Sequence, residues 1–238
     1  MTSFADRYLA GQTVQVWTEI IGLGQELRDD PAVLADADIV GRETMRRSRR
    51  NVERLITELP EIGYRFEPGK GLDVFAPPSP TVVADLDEIE ERVGQVPLAF
   101  RWWLEEVGAV NLCGHHPDWA IEFSDPLVVL SPPDFISSEI DEWEANLGTK
   151  WERKTFAIDF SPDLLHKADV SGGAPYALAV PNGAADGLVL WERHQTTFVN
   201  LLRIAFHYGG FLGFSAIDQP GRQLPEDLLR LGRSLESI

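Results

Sequence analysis

The densest set of metal-ligand side chains in this sequence runs from Cys113 to Asp125 and includes His115, His116 and Asp118. Imidazole and carboxylate groups bind zinc and iron, so metal binding is one chemistry that these residues could perform. Adjacent histidines point in different directions, however, and familiar helical sites place their ligands three or four residues apart. The spacing therefore favours a turn between two strands, and we predict neither a metal nor another cofactor.

A second group of reactive side chains comprises Asp163, His166, Lys167, Asp169 and Ser171. These residue types could supply an acid, a base and a nucleophile. Triads are defined by three-dimensional geometry, however, and no Gly-x-Ser-x-Gly nucleophile elbow is present. We therefore predict that the protein is not an enzyme. The alternative is a small hydrolase built on this group or on the preceding one.

The composition limits the classes of function. The chain has 238 residues, of which 44% are hydrophobic, so it can form one large domain or a domain with an extension. Its net charge of −17 argues against nucleic-acid binding, because phosphate contacts require a basic surface. The single cysteine, Cys113, excludes an internal disulfide and indicates a buried thiol. With neither a signal peptide nor a membrane-spanning stretch, we expect a cytoplasmic protein that does not bind membranes.

The negative charge is concentrated in the C-terminal two thirds of the chain. Residues 1–75 contain 10 Lys+Arg and 13 Asp+Glu, a net charge of −3, whereas residues 76–238 contain 11 and 25, a net charge of −14. Such a surface can steer a basic protein to fast encounter. Solubility is the alternative explanation of the same charge.

Apolar periodicity predicts an N-terminal helical segment over residues 1–75. One helix contains Val14, Trp17 and Ile20, and a longer one extends from about Asp38 to Leu59. The apolar face of the longer helix lies opposite a basic face, formed by Arg42, Arg46, Arg47, Arg49, Arg50 and Arg54. We expect this basic face to be solvated or docked on the acidic domain. The proline-rich residues 76–80 mark the start of the second domain, residues 76–238.

The second domain has the pattern of an α+β fold. Apolar or alternating runs predict strands over Trp119–Phe123, Leu127–Leu130, Thr155–Phe160, Tyr176–Val180 and Gly187–Trp191. Several separations are too short for crossover helices, which favours antiparallel pairing. Helices are predicted from Phe135 to Leu147 and from Thr196 to about Tyr208. The fold class is therefore a largely antiparallel sheet with helices packed against it, preceded by the N-terminal helical segment.

Residues 86–108 form the clearest local pattern, two helices separated by a stop. The first has Leu86, Ile89 and Val93 on one face and acidic residues on the other, and Gly94 ends it. Pro97 suits the first turn of the second helix, which carries an aromatic and apolar stripe and ends at Gly108.

This helix pair resembles the opening of domains in the SUKH superfamily. The family pattern is an acidic helix with apolar spacing, a glycine, a Leu-Pro-like step, an aromatic helix and a closing Asn-Gly. Pro97 and Gly108 match this pattern, and the asparagine is missing. Residues 125–129 resemble the strand after the first hairpin of the family, and Phe198, Leu201 and Leu202 resemble its late Phe-x-x-x-Leu helix.

The resemblance covers residues 84–215 and implies a protein-binding module. Members of the superfamily are mostly bacterial immunity proteins that bind and neutralise toxins, and some are regulators in fungal cell-wall signalling. We therefore predict an immunity protein that covers the basic surface of a toxin domain. An intracellular scaffold or regulator of the same fold is the alternative.

The predicted partner-binding surface lies on two acidic helices. Neighbouring residues Trp102 and Trp103 cannot both face the same core, so one either covers the junction with the N-terminal helices or is exposed. An exposed tryptophan beside acidic residues can anchor a protein partner. The residues predicted to contact the partner are Glu88, Glu90, Glu91, Trp102, Glu139, Asp141, Glu142 and Glu144.

Overall fold

The N-terminal part of the chain is helical, and each of its helices has a buried face. The computed structural model describes residues 3–119, 123–131, 136–215 and 224–238. Helix α1 (Phe4–Leu9) begins at Ser3, whose hydroxyl accepts from the Asp6 amide at 3.0 Å. Helix α2 (Thr13–Gly22) continues into a 3-10 turn.

Helix α3 (Pro31–Glu61) is longer than the sequence predicted, because its N-terminus is well capped. The Asp30 carboxylate accepts from the amides of Ala32 and Val33 at 2.9 and 3.3 Å, and Pro31 occupies the first turn. These features place the start of the helix before Asp38, the predicted first residue.

The predicted pair of helices is present with its predicted C-terminal ends, although α4 begins before Leu86 and Pro97 directly precedes α5. Helix α4 (Val82–Val93) ends at Gly94, which has a φ of 87°, and α5 (Leu98–Glu106) is followed by Gly108, with a φ of 94°. Gly108 is also required by space, because a Cβ atom there would lie 2.3 Å from the carbonyl oxygen of Ala76.

The strands are short, and every pairing between named strands is antiparallel. They form three sheets: β1 (Arg65–Phe66) with β4 (Gly114–His115); β2 (Phe75–Ala76), β3 (Ala109–Asn111) and β5 (Val128–Val129); and β6 (Phe156–Ser161), β7 (Tyr176–Val180) and β8 (Val189–Leu190). The predicted α+β class with antiparallel pairing is confirmed, but the strands divide into three sheets where the sequence predicted one. The Leu130 amide donates to the Phe160 carbonyl at 2.7 Å and so connects the two three-stranded sheets.

Most of the other predicted elements are also present. Four of the five predicted strands correspond to β5 to β8, and the fifth, Trp119–Phe123, lies partly outside the described residues. The two predicted helices correspond to α6 (Ile136–Asn146) and α7 (Phe198–His207), although Phe135 lies outside the described residues. The structure adds α8 (Glu226–Ser234), and β4 replaces part of the turn predicted after Cys113.

The hydrophobic core is continuous between the N-terminal helices and the remaining chain. Phe100 and Trp103 of α5 pack against the ring of Phe198, with centroid separations of 5.4 and 5.8 Å. On its other side, α5 packs against α3 through Trp102. Strand β2 spans residues 75 and 76, so it crosses the predicted domain boundary.

The basic face of α3 is docked, which is one of its two predicted arrangements. Arg42 forms ion pairs with Glu105 and Glu106 at 2.8 and 2.9 Å, and Arg50 pairs with Glu236 at 2.7 Å. These arginines of α3 are therefore paired with carboxylates of the same chain, at the C-terminal end of α5 and near the C-terminus of the chain.

We predict that Gly41→Ala destabilises the fold, because a Cβ atom at Gly41 would lie 2.1 Å from the Trp102 ring. The cost of such overpacking is about 1–3 kcal/mol. The matched control is Gly22→Ala in α2, where a Cβ atom meets nothing within 4 Å. Urea unfolding should show a lower midpoint for Gly41→Ala only. Equal midpoints for the two variants would contradict this packing between α3 and α5.

Candidate functional site

Helix α6 presents its acidic residues to solvent because its apolar residues are fixed against β6. Ile136 and Ile140 are buried. The Trp143 indole N–H donates to the Arg153 carbonyl at 2.9 Å, and its ring meets Phe156 edge-on at 5.8 Å. The outward positions of the helix therefore carry the carboxylates.

Arg92 of α4 joins α4 to α6. Its guanidinium donates to Asp141 Oδ1 at 2.6 Å and to the two carboxylate oxygens of Glu144 at 2.7 and 3.0 Å. The hydrogen bonds from Arg92 lower the pKa of Glu144. The structure thus places side by side the two acidic helices that the sequence predicted to contact a partner.

Two of the predicted partner-binding residues, Trp102 and Glu90, make contacts within the protein instead. Trp102 is only 2% exposed, and its indole N–H donates to Asp38 Oδ1 at 2.8 Å, so the prediction that it anchors a partner is wrong. Burial against α3 is the physical reason. Glu90 accepts from the Val96 amide and from Arg101, both at 2.9 Å, and therefore joins α4 to α5.

The remaining carboxylates form what we call the acidic surface, defined as Glu88, Glu91, Glu139 and Glu142. All four residues are exposed. None of them has an ion pair with a residue that the structure describes. Between the two helices lies a groove of about 210 Å³, with Ile89, Ile136 and Ile140 among its lining residues.

The electrostatics of α6 and β6 indicate uncompensated negative charge. Partial burial and the charge of Glu142 raise the pKa of Glu139. Burial, followed by the charge of Glu139, raises the pKa of Asp159 on β6 to about 6, although Arg153 opposes this shift. A cationic group placed over this region would relieve the repulsion.

An exposed aromatic side chain that the sequence reasoning missed follows α6. Trp151 is 69% exposed, and the ammonium of Lys150 lies 4.9 Å from the centroid of its ring. The sequence does contain an indication of this exposure, because residues 148–154, GTKWERK, include no other apolar side chain. Trp151 can therefore take the anchoring role that the sequence assigned to Trp102.

The two groups of reactive residues meet at one cavity. Lys167 donates to Asp125 Oδ1 at 2.7 Å, and the Tyr176 hydroxyl donates to Asp125 Oδ2 at 2.8 Å. The side chains of Lys167 and Asp125 are 1% and 0% exposed. Asp125 has a φ of 46° and Asp169, which also lines the cavity, has a φ of 58°. Left-handed backbone in residues other than glycine is costly and is often found at functional sites.

The other candidate metal ligands of the first group are engaged locally. The ring nitrogens of His116 contact the Ile62 carbonyl at 2.8 Å and the Asp118 amide at 3.1 Å. Burial raises the pKa of the Cys113 thiol, which disfavours a thiolate ligand. Within the described ranges no group of three or more His, Cys, Asp and Glu residues could hold a metal ion.

The residues of the alternative hydrolase hypothesis do not form a triad in the described structure. His166 forms a hydrogen bond with Asp163. Burial raises the pKa of Asp163, but this hydrogen bond and those from the amides of Leu165 and His166 outweigh burial, so the pKa is lowered overall. No hydrogen bond joins His166 to Ser171 in the part of the chain that the structure describes. The group therefore lacks a link between nucleophile and base.

A serine–histidine–glutamate arrangement occurs elsewhere and was not predicted. His194 Nε2 lies 2.5 Å from Ser215 Oγ, and His194 Nδ1 bonds to Glu192. The His194 and Glu192 side chains are 2% and 0% exposed, and Ser215 is 7% exposed. This burial suits a network that fixes the loop between β8 and α7 rather than one that meets a substrate.

Comparisons of the chain with protein-family models, curated proteins and solved structures give no match. The resemblance to the SUKH superfamily therefore stays a prediction from the sequence. Of the helices in the described ranges, none combines the length and the apolar character needed to cross a bilayer.

We predict that Asp159→Asn stabilises the protein at neutral pH. The pKa of Asp159 rises from 3.8 to about 6 on folding, so the folded state binds more protons between these values and stability falls as pH rises through them. The free energy of unfolding at pH 7 should increase by an amount on the order of 1 kcal/mol. This is less than the full pKa shift corresponds to, because the carboxyl is partly solvated. The increase should vanish towards pH 4.

Urea unfolding at several pH values measures this difference. Asp73→Asn, at an exposed position, is the control. A gain for Asp159→Asn that is the same at both ends of the pH range would contradict the raised pKa of Asp159.

Proposed function

We propose that this protein is a non-enzymatic binding module that recognises a basic protein through the acidic surface of α4 and α6. The most specific form of the proposal is a SUKH-like immunity protein that covers the basic site of a toxin domain. A scaffold or regulator of the same fold would use the same surface. The single cysteine and the lack of an internal disulfide suit a cytoplasmic location.

The observation that carries the proposal is the contrast between paired and unpaired carboxylates. Arg92 fixes α6 beside α4 through Asp141 and Glu144. The acidic surface beside this link has no ion-pair partner among the described residues. A partner with lysine and arginine side chains would supply the missing charge, and long-range attraction would speed its encounter.

Trp151 supports a protein partner over a small cation. It is a large exposed aromatic side chain on the segment that follows α6. Interfaces derive much of their binding energy from such residues, with charged groups setting orientation and association rate. The proposed surface therefore combines four carboxylates with one aromatic anchor.

We predict that reversing the acidic surface abolishes partner capture. The variant Glu88→Lys, Glu91→Lys, Glu139→Lys and Glu142→Lys should lose proteins that tagged wild-type protein retains from its native cells. For a purified partner, association should slow about tenfold or more and its salt dependence should flatten. Quantitative mass spectrometry and association kinetics provide the two measurements.

A control variant distinguishes the effect of the acidic surface from the effect of the net charge. Reversing Glu26, Asp29, Glu61 and Asp73, which are also exposed, changes the net charge equally, from −17 to −9, since each of four reversals adds 2. This control should retain the partner. Equal loss in both variants would contradict a specific surface and would support solubility as the reason for the charge.

A further inference from the structure

A cavity of about 580 Å³ lies between strand β4 and the loop that follows β6. This volume falls within the range of about 300–1,000 Å³ that is usual for small-molecule sites. Its apolar walls include Tyr64, Trp119, Leu130 and Leu164. The rings of Tyr64 and Trp119 stack with centroids 5.5 Å apart. The cavity is separate from the acidic surface, none of whose residues lines it.

The base of the cavity has spare hydrogen-bond donors. Both carboxylate oxygens of Asp125 already accept hydrogen bonds, one from Lys167 and one from Tyr176. The Lys167 ammonium has three N–H groups, of which one donates to Asp125, and the ammonium also lies 4.6 Å from the centroid of the Tyr176 ring. Ser124 also lines the cavity, and its hydroxyl has no hydrogen bond within the described ranges. A ligand that fits this base must present an acceptor.

The charge of the site favours a neutral acceptor over an anion. Lys167 and Asp125 compensate each other at 2.7 Å with side chains 1% and 0% exposed, so an added carboxylate would leave a net negative charge at low dielectric. Asp169 and Glu67 also line the cavity, and the whole chain carries −17. This field repels anions.

We propose that the cavity binds a small neutral molecule that joins an aromatic or apolar body to a carbonyl group, such as an amide or a lactone. The carbonyl oxygen accepts from Lys167 and Ser124 at the base. The body lies against Tyr64 and Trp119. This binding site is independent of the acidic surface, so either can fail without the other.

Three matched probes test the ligand class on the full chain: 3-phenylpropanamide, 3-phenylpropanoate and 3-phenylpropylamine. They share one body and end in a neutral acceptor, an anionic acceptor or a cationic ammonium group that cannot accept a hydrogen bond. The readout is the tryptophan indole N–H signals in NMR spectra, with Trp119 assigned by Trp119→Phe. The amide should shift the Trp119 signal saturably at millimolar concentration, whereas the signal of buried Trp17 should not move. The acid and the amine should bind about tenfold more weakly.

Variants test the assigned donors. Asp125→Asn with Lys167→Met removes both buried charges together and should weaken amide binding about tenfold, whereas Lys150→Met at an exposed position should bind normally. Ser124→Ala should also weaken binding, and it decides the question if the double variant does not fold. Absence of saturable amide binding, equal binding of the acid, or unchanged binding by Ser124→Ala and the double variant would each overturn the proposal.

Discussion

Helix α5 is the constraint on which the remaining structure depends, because it is buried on several sides at once. Phe100 and Trp103 pack into the core with Phe198, and Trp102 fills the space above Gly41 of α3. A helix that is apolar around most of its circumference must be surrounded by other elements. One core is therefore shared by the N-terminal helices, α7 and the sheets. Movement of α3 away from α5 would expose Trp102.

This arrangement also determines where the negative charge remains. The C-terminal end of α5 offers Glu105 and Glu106 to Arg42, so the arginines of α3 are neutralised within the chain. Arg101 of α5 also pairs with Glu105, and it fixes α4 through Asp87 and Glu90. With these cations engaged, the carboxylates on the outer faces of α4 and α6 carry the excess charge.

The sequence predicts elements that are specified locally. The limits of α4 and α5 follow from Gly94 and Gly108, whose positive φ values require glycine, and β7 matches its predicted residues Tyr176–Val180. Strands β2 and β3 were not predicted, and β2 overlaps the proline-rich residues 76–80, which the sequence analysis assigned to a domain boundary. The division into three sheets depends on contacts that no local pattern contains.

The candidate sites show the same limit. The acidic helices were predicted from their composition, but the sequence could not show that Glu90 turns inward to Arg101 or that Trp102 faces α3. The pairing of Lys167 with Asp125 joins residues far apart in the chain, from two groups that the sequence treats as separate. Such pairings depend on tertiary packing, whereas the exposure of Trp151 agrees with its polar neighbours.

The central claim is that the acidic surface of α4 and α6 binds a basic protein. Site-specific photo-crosslinking in the native cells tests this claim most directly. Benzoylphenylalanine would replace Glu142 on α6 in one strain and exposed Leu9 on α1 in another. The account predicts a covalent adduct with one basic protein from position 142 and none from position 9. An adduct from position 9 alone, or an acidic protein captured at position 142, would contradict it.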